Sequence, residues 1–178
     1  MVRGCFRLRH AAFNLNLNWD VKSYEGHEVD GYDIMNPWYV ILEDGNREVV
    51  GTWRALPTTS GYMLRDVFPQ LARGEDIPSD EDTWEISRFA VDECTRELHR
   101  SGGCVSEPAR ALVDSFYRFA ALKNVKRYVA VTSTAGARML SRLGLPVRRM
   151  GDGRAMKVGS VMSTAVVIDM REANRLPC

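Results

Sequence analysis

Between Thr83 and Met170 the spacing of apolar residues switches back and forth between the period of a strand and that of a helix. Thr83 to Val91 alternates, with Trp84, Ile86 and Arg88 on one face and Glu85, Ser87 and Phe89 on the other. Ser106-Glu107-Pro108 offers an oxygen-bearing cap and a first-turn proline, and Ala109, Leu112, Val113, Phe116 and Ala120 follow at helical spacing. Lys126 to Thr132 is β-rich. Ser133 or Thr134 then caps a short helix through Leu143, ended by Gly144. Strand segments around Pro146 to Met150 and Arg154 to Met170 complete the series. This alternation predicts an α/β domain with helices packed on a largely central sheet.

The first half is less regular. Phe6, Phe13 and Leu17, with His10 between them, share one face of an opening helix that Asn18 stops. Asp20 to Asn36 is acidic and broken by Gly26 and Gly31, which puts Asp30 and Asp33 on an irregular loop. Trp38 to Glu43 and Glu48 to Leu56 are strand-like and joined by Asp44-Gly45-Asn46, residues suited to a tight hairpin. Tyr62 to Arg73 has Met63, Val67, Phe68 and Leu71 at helical spacing and ends at Gly74, while Pro69 predicts a kink.

With 178 residues, 45% of them hydrophobic, the chain is long enough for one substantial core and too short for two ordinary domains, so residues 1–178 are expected to form one domain. Arg3, Arg7 and Arg9 are followed by no apolar stretch of a signal peptide, and no run could span a bilayer, which points to a cytoplasmic protein. Cys5, Cys94, Cys104 and Cys178 have neither metal-ligand nor disulfide-scaffold spacing. The net charge of +1 conceals a division: residues 20–95 hold seventeen acidic and six basic side chains, residues 96–157 thirteen basic and four acidic. Such halves either neutralise each other or present one face to a cation and another to an acidic partner or phosphate. The basic residues form no dense run or recognition motif, which argues against nucleic acid.

Three separated blocks carry a resemblance. Phe6-Arg7-Leu8-Arg9-His10, Phe13, Trp19-Asp20-Val21 and Glu28-Val29-Asp30-Gly31-Tyr32-Asp33 resemble the opening of LuxI-type acyl-homoserine lactone synthases. Gly51-Thr52-Trp53-Arg54-Ala55-Leu56-Pro57-Thr58-Thr59 with Tyr62-Met63-Leu64, and Trp84-Glu85-Ile86-Ser87-Arg88-Phe89-Ala90-Val91, are similar to that family's central signatures. The resemblance is specific over about residues 6–91 and looser beyond, and it implies a three-layer α-β-α sandwich similar to the N-acetyltransferase fold, with a mixed central sheet. Relative to that family the sequence starts almost inside the first helix, without the short strand that usually precedes it. Either a few native residues are missing from it or this member is shorter, and one sheet edge and part of the pocket depend on which.

The activity implied is synthesis of a quorum-sensing signal: acylation of the S-adenosylmethionine amine by an acyl thioester, then lactonisation with release of methylthioadenosine. Acyl carrier protein is the expected donor, acyl-coenzyme A the alternative. Both substrates are consumed, and the resemblance implies no prosthetic group, metal or nucleophilic cysteine. Carried over by position, the residues implied are Arg9, Phe13, Trp19, Asp30, Asp33, Arg54, Glu85 and Arg88. Glu85 is the preferred proton acceptor, directly or through a water, with Asp30 the alternative. Arg9, Arg54 and Arg88 with Asp30, Asp33 and Glu85 are expected to form a network of opposite charges, much of it architectural. Phe13 and Trp19 would line the S-adenosylmethionine pocket, since an aromatic face attracts a sulfonium.

Pantetheine would pass Phe89, while Arg100, Lys123, Arg127, Arg148 and Arg149 could meet phosphate or an acidic carrier. Met63, Val67, Leu112, Phe116, Met139 and Leu143 are candidates for the acyl gap, although ordinary core packing suits most of them. Thr132 lies near a position that this family associates with 3-oxo-acyl chains. Two other readings stay open: an acyltransferase of the same fold acting on another amine, and a non-catalytic domain that binds an acyl carrier.

Overall fold

The computed structural model describes residues 1–16, 23–92 and 106–173. They group into two compact units, Met1–Arg54 with Arg88–Ser115, and Ala55–Ser87 with Phe116–Cys178.

In the first unit α1 (Val2–His10) runs directly into a π-helical turn, Ala11–Asn16. Its buried side chains are Cys5, Leu8 and Arg9, so the inward face is one step round from the Phe6 line that apolarity alone suggests. A guanidinium can take that face because it is paired there. The acidic segment is more ordered than a loop: β1 (Ser23–Tyr24) and β2 (His27–Glu28) form an antiparallel hairpin turning at Glu25 and Gly26, both at positive φ.

Next come β3 (Trp38–Glu43) and β4 (Val49–Pro57). Asp44 holds the turn between them, its Oδ1 accepting from the amides of Asn46 and Glu48, both at 2.9 Å. In this unit the last residues of β5 (Thr83–Val91) extend the sheet in the order β3-β4-β5, and the Asp92 amide donates to the Val50 carbonyl. The long helix α3 (Glu107–Lys123) packs its Leu112 where Gly51 leaves room: a Cβ on Gly51 would lie 2.8 Å from Leu112 Cδ1. The expected Ser106 side-chain cap is not made. The hydroxyl is buried without a partner among the described residues, and only the Ser106 carbonyl joins the helix, accepting from Arg110.

In the second unit the order is β4-β5-β6-β9-β7, with β8 also on β9. Here β6 is Arg127–Ser133, β7 Val147–Arg149, β8 Met156–Val158 and β9 Val161–Asp169. β5 and β6 are parallel, with Thr83 beside Arg127 and Glu85 beside Val129. β6 and β9 are antiparallel from Arg127 opposite Asp169 to Ser133 opposite Ser163, and the sheet is therefore mixed. The stretch Arg154 to Met170 divides at Gly159, whose positive φ turns β8 into β9.

Tyr62 to Arg73 also divides, into α2 (Met63–Asp66) and a 3-10 turn at Pro69–Ala72. Proline has no amide to continue an α-helix, and Arg73 and Gly74 close the turn at positive φ. Ser133 caps α4 (Thr134–Arg142), its Oγ accepting from the Gly136 amide at 2.9 Å. A last turn, α5 (Met170–Ala173), follows β9 directly. Phe116 on α3 packs against Tyr128 of β6, whose hydroxyl donates to the Phe116 carbonyl at 2.9 Å. Burying a side chain of this size contributes about 1.5–3 kcal/mol. Among the described residues no helix is long and apolar enough to cross a membrane.

Candidate active site

The first unit carries a buried cluster of three arginines and three carboxylates. Arg9 projects from α1 and meets Asp33 through two parallel hydrogen bonds of 2.9 Å, from Nη1 to Oδ1 and from Nη2 to Oδ2. Its Nε donates to Glu28 Oε2 at 2.5 Å. Arg54, at the middle of β4, grips Asp30 with the same forked geometry at 2.5 and 3.0 Å, and its Nη1 also reaches Asp33 Oδ1 at 2.8 Å. Arg88 on β5 donates from Nε to Glu28 Oε1 at 3.0 Å and from Nη2 to Asp30 Oδ2 at 2.8 Å. Each guanidinium also lies over an aromatic ring: Arg9 over Phe6 at 5.1 Å, Arg54 over Tyr32 at 5.6 Å and Arg88 over Phe13 at 5.8 Å. A planar cation thus receives carboxylates at its edge and a π-face above it, the two contacts guanidinium makes best.

Pairing of opposite charges offsets the cost of burying the cluster. Burial opposes ionisation of Asp33, but hydrogen bonds from Arg9, Tyr39 and the Asp30 amide outweigh it and hold its carboxyl well below the usual carboxylate range. Asp30 behaves alike: burial opposes its ionisation and Arg54 reverses the balance, so its pKa is lowered. Tyr39 donates to Asp33 Oδ1 at 2.6 Å, and burial, reinforced by that bond, raises its own pKa. The cluster is not uniformly closed. Arg9, Arg54, Glu28 and Asp33 are buried, whereas the side chains of Arg88 and Asp30 are 12% and 19% exposed and form its open end.

Arg88 reaches this position at a backbone cost. Its φ of 56° lies in the left-handed region, which strains a non-glycine residue by roughly 1–3 kcal/mol. The positive φ interrupts the regular extended backbone of β5 at Arg88.

A third carboxylate, absent from the expected set, joins the arginines. The described contacts join Arg9 and Arg88 to Glu28, which the sequence reading left without a role. Its signal was its place: Glu28 ends β2 two residues before Asp30, in the same acidic segment. Glu85 has a different environment, within the second unit. Buried on β5, it accepts from the Met63 amide at Oε2 (3.0 Å) and the Leu64 amide at Oε1 (2.8 Å), the first two amides of α2. Tyr62, just before them, has its hydroxyl pushed up to about 12 by burial and by the Glu85 charge, and donates to the Pro78 carbonyl.

The remaining candidates divide by unit. Phe13 is buried with Leu8 and Ala90, placed there by the π-helical turn, and Phe89 is partly buried on β5. Trp19 and Arg100 lie outside the described residues. In the second unit Phe116 is core beside Tyr128, while Met63, Met139 and Leu143 are partly buried. Val67 is exposed. Thr132, opposite Thr164, lies against the first turn of α4, where a Cβ on Gly136 would stand 2.4 Å from its Oγ1. Arg127 and Arg148 pair with Asp80 and Glu75 of the same unit.

The fold is N-acetyltransferase-like: a Lactobacillus plantarum protein proposed to be an N-acetyltransferase superposes with a TM-score of 0.60 over 94% of this chain and 89% of its own, at 12% identity. Within that class, the chain belongs to the autoinducer synthase family, whose model matches residues 1–176, and it is an acyltransferase. The acyl-homoserine-lactone synthase of Vibrio anguillarum is 36% identical over 169 residues, 95% of this chain and 86% of that protein. The crystal structure of the synthase LasI covers 94% of this chain and 82% of its own at 30% identity, with a TM-score of 0.81. The coenzyme A-dependent synthase BjaI, solved with S-adenosylmethionine and isopentyl-CoA, covers 97% and 77% at 29% identity, with a TM-score of 0.82.

Proposed function

We propose that the chain is a cytoplasmic enzyme that joins the acyl group of a thioester to the α-amine of S-adenosylmethionine and closes the product to an N-acyl-homoserine lactone. The amine nitrogen attacks the thioester carbonyl, the carbon–sulfur bond breaks, and the proton lost by the amine ends on the departing thiol. The carboxylate oxygen of the methionyl part then attacks its own γ-carbon, and the bond electrons pass to the sulfonium, which leaves as neutral methylthioadenosine. The second step needs alignment of two ends of one molecule more than it needs an acid or base.

The observation that carries this reading is the open end of the arginine–carboxylate cluster. Asp30 and Arg88 present one anion and one cation side by side, 2.8 Å apart, which complements an amino acid's ammonium and carboxylate. Phe13, with its face to Arg88, is the aromatic wall for the sulfonium portion. Asp30 is held anionic and is therefore a poor proton acceptor. It orients the amine, and Glu85 takes the proton through a water. Thr132, Met63, Phe116, Met139, Leu143 and Phe89 receive the acyl and pantetheine parts, and the donor is acyl carrier protein, with acyl-coenzyme A as the second choice.

Mass spectrometry of extracts from cells expressing the wild type and a Glu85→Gln variant tests the reading, with thermal melting run on both proteins. A lactone from wild type and a large loss in a folded variant is the expected result. Equal lactone from both removes Glu85 as proton acceptor, and no lactone from folded wild type supplied with varied donors removes the reading itself.

A further inference from the structure

The second unit has a pocket of about 230 Å³ that the reaction above does not use. It lies where β5 and β6 begin and β9 ends, on the face that carries Thr83, Val129 and Val167. Its floor is apolar with one exception. Thr83 is fully buried, and its hydroxyl has no hydrogen-bond partner among the described residues. A buried hydroxyl without a partner is uncommon, because leaving one unmade costs about 1–3 kcal/mol.

The lining also carries charges of both signs, Glu75, Asp76 and Asp169 beside Arg127, Arg148 and Arg171. Arg148 pairs with Glu75 at 2.6 Å and Arg171 pairs with Asp169, all four residues lining the pocket. The arginine side chains are 58% and 61% exposed, so each pair is worth little and can be exchanged for an incoming group. Both acids are nevertheless held ionised: the bond from Arg148 lowers Glu75, and that from Arg171 lowers Asp169.

We propose that this pocket is a second ligand site, distinct from the arginine–carboxylate cluster, for a small zwitterion with an apolar side chain, the class of the aliphatic α-amino acids. The ligand's carboxylate would meet the guanidiniums of Arg148 and Arg171, its ammonium Glu75 or Asp169, and its side chain Val129 and Val167, while Thr83 gains a partner. The volume falls below the range of about 300–1,000 Å³ of drug-sized sites, which fits such a molecule.

L-leucine is the probe, titrated into the full chain while the methyl signals of Val129 and Val167 are followed by NMR. The site predicts saturable shifts of both signals, at least fivefold weaker binding in Arg148→Ala and Arg171→Ala, and a smaller loss in Thr83→Val, with lactone production unchanged in Arg171→Ala and Thr83→Val. N-acetyl-leucine and leucine amide, each lacking one charge, should bind at least fivefold more weakly. Absence of saturation in the folded wild type would overturn the proposal. So would binding that the arginine variants do not alter, or leucine amide binding as well as leucine.

Discussion

The two units bury negative charge in different ways. In the first, Glu28, Asp30 and Asp33 are neutralised by Arg9, Arg54 and Arg88, each of which touches two of those carboxylates. In the second, Glu85 is held by dipoles, the amides of Met63 and Leu64. A charge network is interdependent, since deleting one ion leaves its partners buried with the wrong balance. Removing a carboxylate that accepts from backbone amides leaves those donors without it, a smaller and more local penalty.

Arg54→Ala probes that contrast with the largest effect. It removes a fully buried cation from both Asp30 and Asp33, and a loss of about 3–5 kcal/mol in urea unfolding is expected, with activity abolished. Glu85→Ala should lose less, about 1–3 kcal/mol, while activity falls far more than stability does. If the two variants are equally destabilised, the distinction between ions and dipoles fails. Glu85→Gln sharpens it, because the carboxamide oxygen replaces one acceptor but its NH2 must face the other amide donor.

Tyr39→Phe removes one hydrogen bond to Asp33 and leaves the two arginines, so a loss of about 1 kcal/mol is expected. Acid provides the mildest test. Asp33 and Asp30 have pKa values lowered by folding, so their contribution is present above the unfolded carboxylate value of about 4 and is lost as pH falls below it. Unfolding free energy measured between pH 5 and about pH 2 should fall less steeply in Asp33→Asn than in wild type. A steeper fall in the variant would contradict the assigned direction.

Elements with a clean period were legible from the residues alone. The hairpin at Asp44, the strand from Thr83, the buried line of Ala109, Leu112, Val113, Phe116 and Ala120, and the Ser133 cap all stand where local pattern puts them. What escaped depends on partners remote in sequence. Arg9 faces inward because Asp33 and Glu28 await it, a fact outside the reach of helix periodicity. The left-handed Arg88 follows no residue preference, and nothing local distinguishes the π-helical turn at Ala11–Asn16 from the end of an α-helix. The site was legible as a set of residue types, five of them members of the cluster. Its wiring was not, and Glu28, absent from the expected set, is a member of the cluster.

The most direct measurement is the product balance of the purified chain given S-adenosylmethionine and an acyl thioester, followed by mass spectrometry. The account predicts one N-acyl-homoserine lactone and one methylthioadenosine for each thiol released. Thiol release with an acylated amine but no methylthioadenosine would contradict it.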